Sequence, residues 1–274
     1  MAAILPMEPV RAEQGGGLLP LNRFTLAVWR RNFLTWRRLF WSSMASNVAN
    51  PLLFLFAFGY GLGAVVKEAE GIPYFDFILP GMMAHAALFS ASFETTISAY
   101  ARFELQKTWD AILATPLRLG ELLAGELLWA ASKAMLASLC VLAVGIAWGG
   151  VPSLWGALMG LPVVFVASLA FAAYGLFATA HAKNWEVFSY FFTFWVTPML
   201  MLGGTFFAVD RFPGWVEALA WAFPMTHFIA VLRPLTTGHW PDPLAAALHL
   251  LFIAATGALA LWLAKRRLTR RLMT

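Results

Sequence analysis

The stretch that decides the fold is residues 134–182, which read AMLASLCVLAVGIAWGGVPSLWGALMGLPVVFVASLAFAAYGLFATAHA. These 49 residues contain no Asp, Glu, Lys or Arg. A helix needs about 20 apolar residues to cross the hydrocarbon core of a bilayer, so the stretch is too long for one span and too short for three. Its middle, WGGVPS at 148–153, is a strong turn signal. We therefore predict two spans, 124–148 and 154–181, joined by a tight turn.

The composition of the whole chain supports a membrane protein. Of the 274 residues, 61% are hydrophobic and 12% are charged, whereas a soluble domain has about 45–50% apolar and about 25% charged residues. Disorder is excluded because it requires low hydrophobicity and high net charge. The single cysteine, Cys140, excludes a disulfide framework and a cysteine-based zinc site. The apolar runs are continuous rather than alternating, so the prediction is an all-α integral membrane protein.

Four further uncharged runs are long enough to span, with Glu94 the one interruption. They place spans at about 44–64, 77–99, 187–209 and 243–264. Together with the central hairpin they give six transmembrane helices. Residues 1–20 contain acidic residues and a glycine triplet but no apolar signal-peptide core, and are expected to be a flexible cytoplasmic tail. Residues 21–274 then form one membrane domain.

The basic residues set the expected orientation. With six spans, 15 Lys and Arg fall on the side of the two termini and three fall on the other side. Because cytoplasmic loops carry the excess of Lys and Arg, both termini are predicted to be cytoplasmic. The same distribution explains the isoelectric point of about 9.7 without a nucleic-acid partner.

An amphipathic helix is predicted at 21–41, before the first span. Around a helical wheel its arginines occupy one arc and its aromatic residues a neighbouring arc, which suits the headgroup layer of a membrane. It is either an ordinary basic anchor or an interface helix that also touches a cytoplasmic partner. The candidate residues are Trp29, Arg30, Arg31, Phe33, Trp36, Arg37 and Arg38.

Two other segments differ from plain spans. Residues 101–114, between the second and third spans, favour a short charged helix that ends before Pro116. Such a helix could dock into a groove on a soluble subunit; the alternative is a solvated charged loop. The external segment 210–242 is apolar but punctuated by prolines, and is expected to form short re-entrant or interfacial helices.

No motif for nucleotide hydrolysis or metal binding is apparent. The phosphate-binding pattern G-x-x-x-x-G-K-[ST] does not occur, so ATP and Mg²⁺ are expected on a partner chain, with no cofactor bound here. The histidines lack metal-ligand spacing, and His85 is expected to be a hydrogen-bonded core residue. Glu94 and Lys133 lie within predicted spans, where an ionisable group is either functional or paired for structural reasons.

Four local motifs resemble a known family. They are TWDAILATPLRLGE at 108–121 with GELLWAA at 125–131, TPMLMLGGTFF at 197–207, FPGW at 212–215 and PMTH at 224–227. In this order they resemble the ATP-binding-cassette type-2 exporter permeases, and more narrowly the nodulation protein J branch. The resemblance covers nearly the whole chain after residue 20.

The resemblance implies a type-2 permease domain at 21–274. It would form a pair of permease subunits, expected to be a homodimer, with two copies of a separate cytoplasmic ATP-binding-cassette subunit in the bacterial inner membrane. Residues 101–114 would be the coupling helix and 21–41 the interface helix. The coupling candidates are Arg102, Phe103, Glu104, Lys107, Trp109, Asp110 and Leu113.

The expected cargo is an amphiphile such as a lipo-oligosaccharide, a polysaccharide or a drug. Its path would lie at the permease dimer interface, with Phe191, Phe194, Trp195 and Met199 as candidates. Two alternatives stay open. A membrane-embedded lipid-modifying enzyme would have to use the scattered Glu94, His181, Asp210 and His227. An ion-coupled carrier would show inverted repeats, and spans 1–3 and 4–6 show no clear correspondence.

Overall fold

The computed structural model describes residues 18–272. This part of the chain is all-α apart from a two-stranded antiparallel hairpin, in which β1 (Glu68–Ala69) pairs with β2 (Ile72–Pro73). The predicted all-α class is confirmed. The predicted tail at 1–20 lies almost entirely outside the described residues.

Eleven α-helices account for most of the described residues. In chain order they are α1 (Arg23–Arg38), α2 (Phe40–Phe56), α3 (Tyr74–Phe93), α4 (Thr108–Leu113), α5 (Leu119–Ala147), α6 (Leu154–His181), α7 (Glu186–Phe191), α8 (Thr197–Leu202), α9 (Gly214–Trp221), α10 (Pro224–Thr237) and α11 (Pro243–Leu272). Wider π-helical turns extend or join several of them, at Ala57–Leu62, Glu94–Ser98, Ala101–Leu105 and Phe192–Val196. A 3₁₀ turn occupies Val209–Arg211.

Three helices, α5, α6 and α11, are long and apolar enough to cross a membrane. The helices α9 and α10 meet at 87° and together would count as a fourth, either as a broken span or as a re-entrant loop. The apolar helical segments Ala49–Leu62 and Glu186–Leu202 are shorter. The helical segment that begins at 186 ends at Leu202 instead of continuing to 209, because Gly204 takes a left-handed backbone with φ 84°.

The core is built around α5 and α6. Helix α3 packs along α5, and α11 packs along α6. At one crossing the backbones approach so closely that only glycine fits: a Cβ on Gly257 of α11 would lie 2.7 Å from the Cβ of Ala170 on α6. Small residues allow this close approach of apolar helices, whose association in lipid rests on van der Waals packing.

Helix α1 lies against the first half of α5. Its N-terminus is capped by the Asn22 side chain, which accepts hydrogen bonds from the amides of Phe24 and Thr25. The same side chain donates to Glu121 of α5 at 2.5 Å. A Cβ on Gly125 would lie 2.5 Å from the Cβ of Val28, so the contact again depends on glycine.

Candidate functional site: a buried ionic cluster behind the segment 101–118

Four charged side chains meet where α3 and α5 run side by side. The Arg102 guanidinium lies between two carboxylates, with Nη1 2.9 Å from Oε1 of Glu94 and Nη2 2.5 Å from Oε2 of Glu126. The ammonium of Lys133 lies 2.8 Å from the other oxygen of Glu94. We call these four residues the ionic cluster. It contains two positive and two negative groups and is therefore neutral.

The ionic cluster is enclosed by protein. Side-chain exposure is 5% for Glu94, 0% for Glu126, 6% for Lys133 and 13% for Arg102. Burial disfavours the Arg102 cation, but Glu126 and Glu94 more than offset this cost, so the pKa of Arg102 is raised above its usual value. The removal of one partner from such a buried network leaves an uncompensated charge, which typically costs about 3–5 kcal/mol. The cluster therefore fixes how α3 and α5 sit together.

The ionic cluster connects directly to helix α4 through Trp109. This indole is fully buried, and its Nε1–H donates to Oε1 of Glu126 at 3.3 Å. Its ring lies 5.1 Å from the ring of Phe103, centroid to centroid. A displacement of α4 must therefore move Trp109 against α5 and against the charged residues behind it.

The predicted coupling helix 101–114 is two helical pieces rather than one. Ala101–Leu105 continues the α3 helix as a π-helical turn, and α4 starts at Thr108. Between them Lys107 has a left-handed backbone with φ 50°, which no regular right-handed helix accommodates. This break sets the direction of α4 independently of α3.

The C-terminal end of α11 also reaches this segment. The Arg271 guanidinium forms an ion pair with Glu104 and donates to the carbonyl of Ala182 at 2.9 Å. It also lies over the Phe103 ring, 5.0 Å from the centroid. One arginine therefore holds three parts of the chain together, namely residues 103–104, residues 180–182 and the last turn of α11.

The predicted coupling residues separate into an internal and an external set. Arg102, Phe103 and Trp109 face the protein interior, and Leu113 is half-buried. The external face consists of Leu105, Gln106, Lys107, Asp110, Ala111 and Ala114. We call these six residues the loop face. A soluble partner can touch the loop face, whereas Trp109 is shielded from any such contact.

The aromatic arc of α1 packs on protein. The rings of Trp29, Phe33 and Trp36 surround Trp129 of α5, with centroid distances of 6.5, 6.2 and 5.6 Å. The Trp29 indole donates to Ser132 at 3.1 Å. These rings therefore pack on the protein itself, where Trp129 of α5 offers them a complementary aromatic surface.

The arginines of α1 lie on a different side. Arg30, Arg37 and Arg38 are exposed, whereas Arg31 is half-buried. Burial lowers the pKa of Arg31, and the charge of Glu126 opposes this shift. The two arcs of the amphipathic pattern therefore have different surroundings. The aromatic face of α1 packs on α5, and the basic face of α1 is exposed to phosphates or to a partner.

The predicted path residues do not share one surface. Phe194 is 73% exposed, while Met199 is fully buried. Trp195 packs edge-on against Tyr174 and Phe223, at 5.6 and 5.8 Å. A cavity of about 890 Å³ lies beside this segment, but it is lined by the neighbouring Phe188, Phe192, Thr193 and Thr197 rather than by Phe191, Phe194, Trp195 or Met199.

His85 differs from its prediction. It is 1% exposed, so the predicted core position is confirmed. The predicted hydrogen bond is wrong, because neither ring nitrogen has a partner among the side chains and backbone that the structure describes. The ring lies between Phe54 and Phe89, at 5.5 and 4.7 Å, and it lines the same cavity of about 890 Å³.

Sequence reasoning missed Glu126 and Arg271 as members of the site. Glu126 and Lys133 are seven residues apart on α5, so they lie on one face of this helix. This spacing is the sequence feature from which the role of Glu126 could have been predicted. The contact of Arg271 with Glu104 joins residues 167 positions apart and leaves no local signal. Of the residues named for the enzyme alternative, only Glu94 belongs to the ionic cluster.

Comparison with known proteins identifies the family. The model of the ABC-2 type transporter family matches residues 23–235. The chain therefore belongs to this family, and it is a transmembrane permease of the ABC transporter class. Apolar helices and family membership agree on a multi-pass membrane protein.

Individual relatives narrow the resemblance. Nodulation protein J of Rhizobium meliloti (strain 1021) is 38% identical over 258 residues, which cover 93% of this chain and 97% of that protein. Nodulation protein J of Rhizobium leguminosarum bv. trifolii is 40% identical over 214 residues, or 78% of this chain and 81% of that protein. Inner membrane transport permease YadH of Escherichia coli (strain K12) is 22% identical over 207 residues, or 76% and 80% of the two chains. The resemblance to the nodulation protein J branch is confirmed.

Proposed function

We propose that this chain is the permease subunit of an ATP-driven exporter in a bacterial inner membrane. Two copies of the chain pair with each other, and two copies of a cytoplasmic ATP-binding subunit attach to the side of the termini. Each permease subunit has six spans with both termini in the cytoplasm. ATP and Mg²⁺ bind to the partner, and this chain contributes no hydrolytic site.

The observation that carries this proposal is the connection from the loop face to the long helices. Asp110 and Lys107 are exposed, while Trp109 between them is buried against Glu126 of α5. Glu126 then holds Arg102, and Arg102 holds Glu94 at the end of α3. A push on α4 thus reaches two membrane helices without passing through a flexible linker. An ordinary solvated loop would need no such connection.

Two further contacts support the partner side of the proposal. Arg271 ties the end of α11 to the same segment, so the sixth span receives the same displacement. The basic face of α1 lies on a helix that packs on α5 through Trp129, and it is suited to lipid phosphates or to an acidic surface of the partner. Rearrangement of packed elements around an interface is a common form of coupling in switching proteins.

The cargo is proposed to be an amphiphile such as a lipo-oligosaccharide, polysaccharide or drug. The support is chemical: the cavity beside segment 185–197 combines aromatic rings with uncharged polar side chains, and its one charged group among the described residues, Lys133, is already paired with Glu94. Such a surface can hold an acyl chain or the apolar face of a sugar, and it gives little stabilisation to a small charged ion. The names of the nodulation protein J relatives do not state a substrate.

Co-expression with the products of the neighbouring genes, among which we expect an ATP-binding subunit, tests the proposal. The purified complex should contain both chains and hydrolyse ATP, and the variant Asp110→Arg on the loop face should weaken co-purification. Glu217→Arg is the matched control, because Glu217 is a carboxylate on α9, remote in sequence from the loop face. If D110R assembles and couples as well as the control, the loop face is not the partner site. Transport by the chain alone on an ion gradient would favour the carrier alternative.

A further inference from the structure

One cavity contains a polar side chain that the fold leaves without a partner. The cavity lies between α2, α3 and the helical segment 186–196, and has a volume of about 890 Å³. His85 lines it from α3, is 1% exposed, and has no hydrogen bond at Nδ1 or Nε2 to any group that the structure describes. A buried polar group without a hydrogen bond costs free energy, so a ligand or water that satisfies the imidazole is stabilised there.

The aromatic rings around His85 define the shape of the site. Phe89 lies edge-on to the imidazole at 4.7 Å, and Phe192 packs against Phe89 at 5.9 Å, centroid to centroid, so the two rings form one continuous part of the wall. Phe93 and Phe188 extend the aromatic wall. Flat rings of this kind pack against the apolar C–H face of a sugar ring, while hydroxyl groups at the ring edge remain free to reach a hydrogen-bonding side chain.

The charge of the cavity argues for a neutral ligand. Lys133 is the one charged side chain among the described residues that line it, and its ammonium already faces Glu94 at 2.8 Å. The other polar contributions are hydroxyl and amide groups, such as Asn50, Ser98 and Thr193. A phosphate or sulfate would therefore lose its hydration without gaining an unpaired cation.

We propose that His85 and the rings of Phe89 and Phe192 form a recognition site for a neutral sugar unit of the transported molecule. A neutral imidazole has one donor and one acceptor, which match two neighbouring hydroxyls. This inference rests on the proposed function, because it assumes that the cargo passes along this chain. It goes further because it names the chemical group that binds in the cavity and the residue that recognises this group by hydrogen bonds.

Binding to the full-length permease in lipid nanodiscs, without ATP-binding subunits, tests the inference. The probes are decyl maltoside, decyl phosphocholine and decyl sulfate, used below their micelle-forming concentrations, with empty nanodiscs as the correction for partitioning. The wild-type chain should bind the maltoside saturably and more tightly than the zwitterionic phosphocholine and the anionic sulfate, each of which has a charged headgroup that the cavity cannot pair. His85→Phe keeps the ring volume and removes both nitrogens, and should bind the maltoside at least about tenfold more weakly.

Two further variants keep the test decisive. His85→Asn retains one donor and one acceptor and should recover part of the affinity. His181→Phe alters an exposed histidine that does not line the cavity and should bind like the wild type. H85F should fold at least as well as the wild type, because it removes two unsatisfied atoms.

Specific results would overturn the inference. They are equal maltoside affinity in H85F and wild type, equal affinity of the wild type for the charged amphiphiles, and absence of saturable binding. Because no ATP-binding subunit is present, these results say nothing of the exporter assignment. That assignment fails separately, if the co-expressed complex does not assemble or its ATPase does not respond to the permease.

Discussion

The indole of Trp109 donates to the carboxylate of Glu126, 17 residues further along the chain, and both side chains are fully buried. This single bond joins a six-residue helix at the surface to one of the three long apolar helices. It also shares its acceptor residue with the Arg102 guanidinium. Movement of the surface helix and the pairing of buried charges are therefore linked at one carboxylate.

Replacement of Trp109 should separate folding from coupling. Trp109→Phe keeps an aromatic ring in the buried site but loses the hydrogen bond to Glu126 and a part of the ring volume. We expect assembly to persist and permease-dependent stimulation of ATPase to fall severalfold. Trp109→Ala also leaves a cavity and should destabilise the chain by about 3–5 kcal/mol. Trp240→Phe, at an indole that is 73% exposed, is the control. Normal stimulation in W109F would show that the bond is structural.

The ionic cluster should behave as a coupled unit. Glu94→Gln leaves the buried Lys133 without its carboxylate and should lower the free energy of unfolding by about 3–5 kcal/mol. The double variant Glu94→Gln, Lys133→Met removes one charge of each sign and leaves the Arg102–Glu126 pair, so its loss should be clearly smaller than the sum. Titration with sodium dodecyl sulfate in mixed micelles measures these differences. Lys107→Ala, which breaks an exposed pair, should change stability by about 1 kcal/mol or less. If the stability losses of the single variants simply added up in the double variant, the ionic cluster would not be a coupled unit.

Arg271 should matter for coupling more than for folding. Arg271→Ala removes the contacts with Glu104 and the Ala182 carbonyl, and we expect assembly to persist while stimulated ATPase and transport fall together. Arg267→Ala removes the same charge from an exposed position of the same helix and is the matched control. An R271A complex that transports at the wild-type rate would show that α11 moves without this contact.

The packing of α1 on α5 should depend on the absence of a side chain at Gly125. Gly125→Val places atoms within about 2.5 Å of the Cβ of Val28 and should push α1 off α5. The expected readout is faster proteolysis within 23–38 and a lower yield of complex with the ATP-binding subunit. Gly214→Val, at a glycine whose Cβ would meet nothing within 4 Å, serves as the control. Equal protease resistance in the two variants would argue against a docked α1.

The orientation can be tested with single cysteines. In a Cys140→Ala background, Leu105→Cys on the loop face should react with a membrane-impermeant maleimide only in inverted membranes. Glu68→Cys in the β-hairpin should react only in right-side-out membranes, because the excess of Lys and Arg on the other side predicts an external hairpin. Both positions are exposed. Reversed labelling would place the loop face beyond reach of a cytoplasmic ATPase.

Most helices could be predicted from the absence of charge, because a span must be apolar whatever its partners are. Their ends were less predictable. Helix α5 starts at Leu119 because Glu121 accepts from the Arg118 amide at 2.8 Å, a local cap that lies outside the apolar run. The sequence singles out Glu94 and Lys133, because ionisable groups in lipid are costly. It does not predict their contact, because 39 residues separate them.

The direction of side chains was the least predictable feature of the site. Trp109 reads as a docking residue because aromatic groups favour interfaces, yet it faces inward. The break at Lys107 sets the phase of α4, and no periodicity of the segment reveals that phase. The aromatic arc of α1 was correctly located on one side of the helix, but its partner, Trp129, lies about a hundred positions away and could not be read from the pattern.

The π-helical turn at Glu94–Ser98 makes the chain length around the ionic cluster critical. In a regular α-helix residues 94 and 102 would be rotated by about 80° from each other. The wider turn winds through a smaller angle per residue and brings both onto one side, where the carboxylate and guanidinium meet at 2.9 Å. Loss of one residue would let this turn close to a regular α-helix in which Glu94 and Arg102 are seven residues apart, about 20° from each other, so the two side chains would stay on one side. Insertion of one residue would instead turn Arg102 by about another 100° away from Glu94. This short segment should therefore accept a one-residue deletion far more readily than a one-residue insertion.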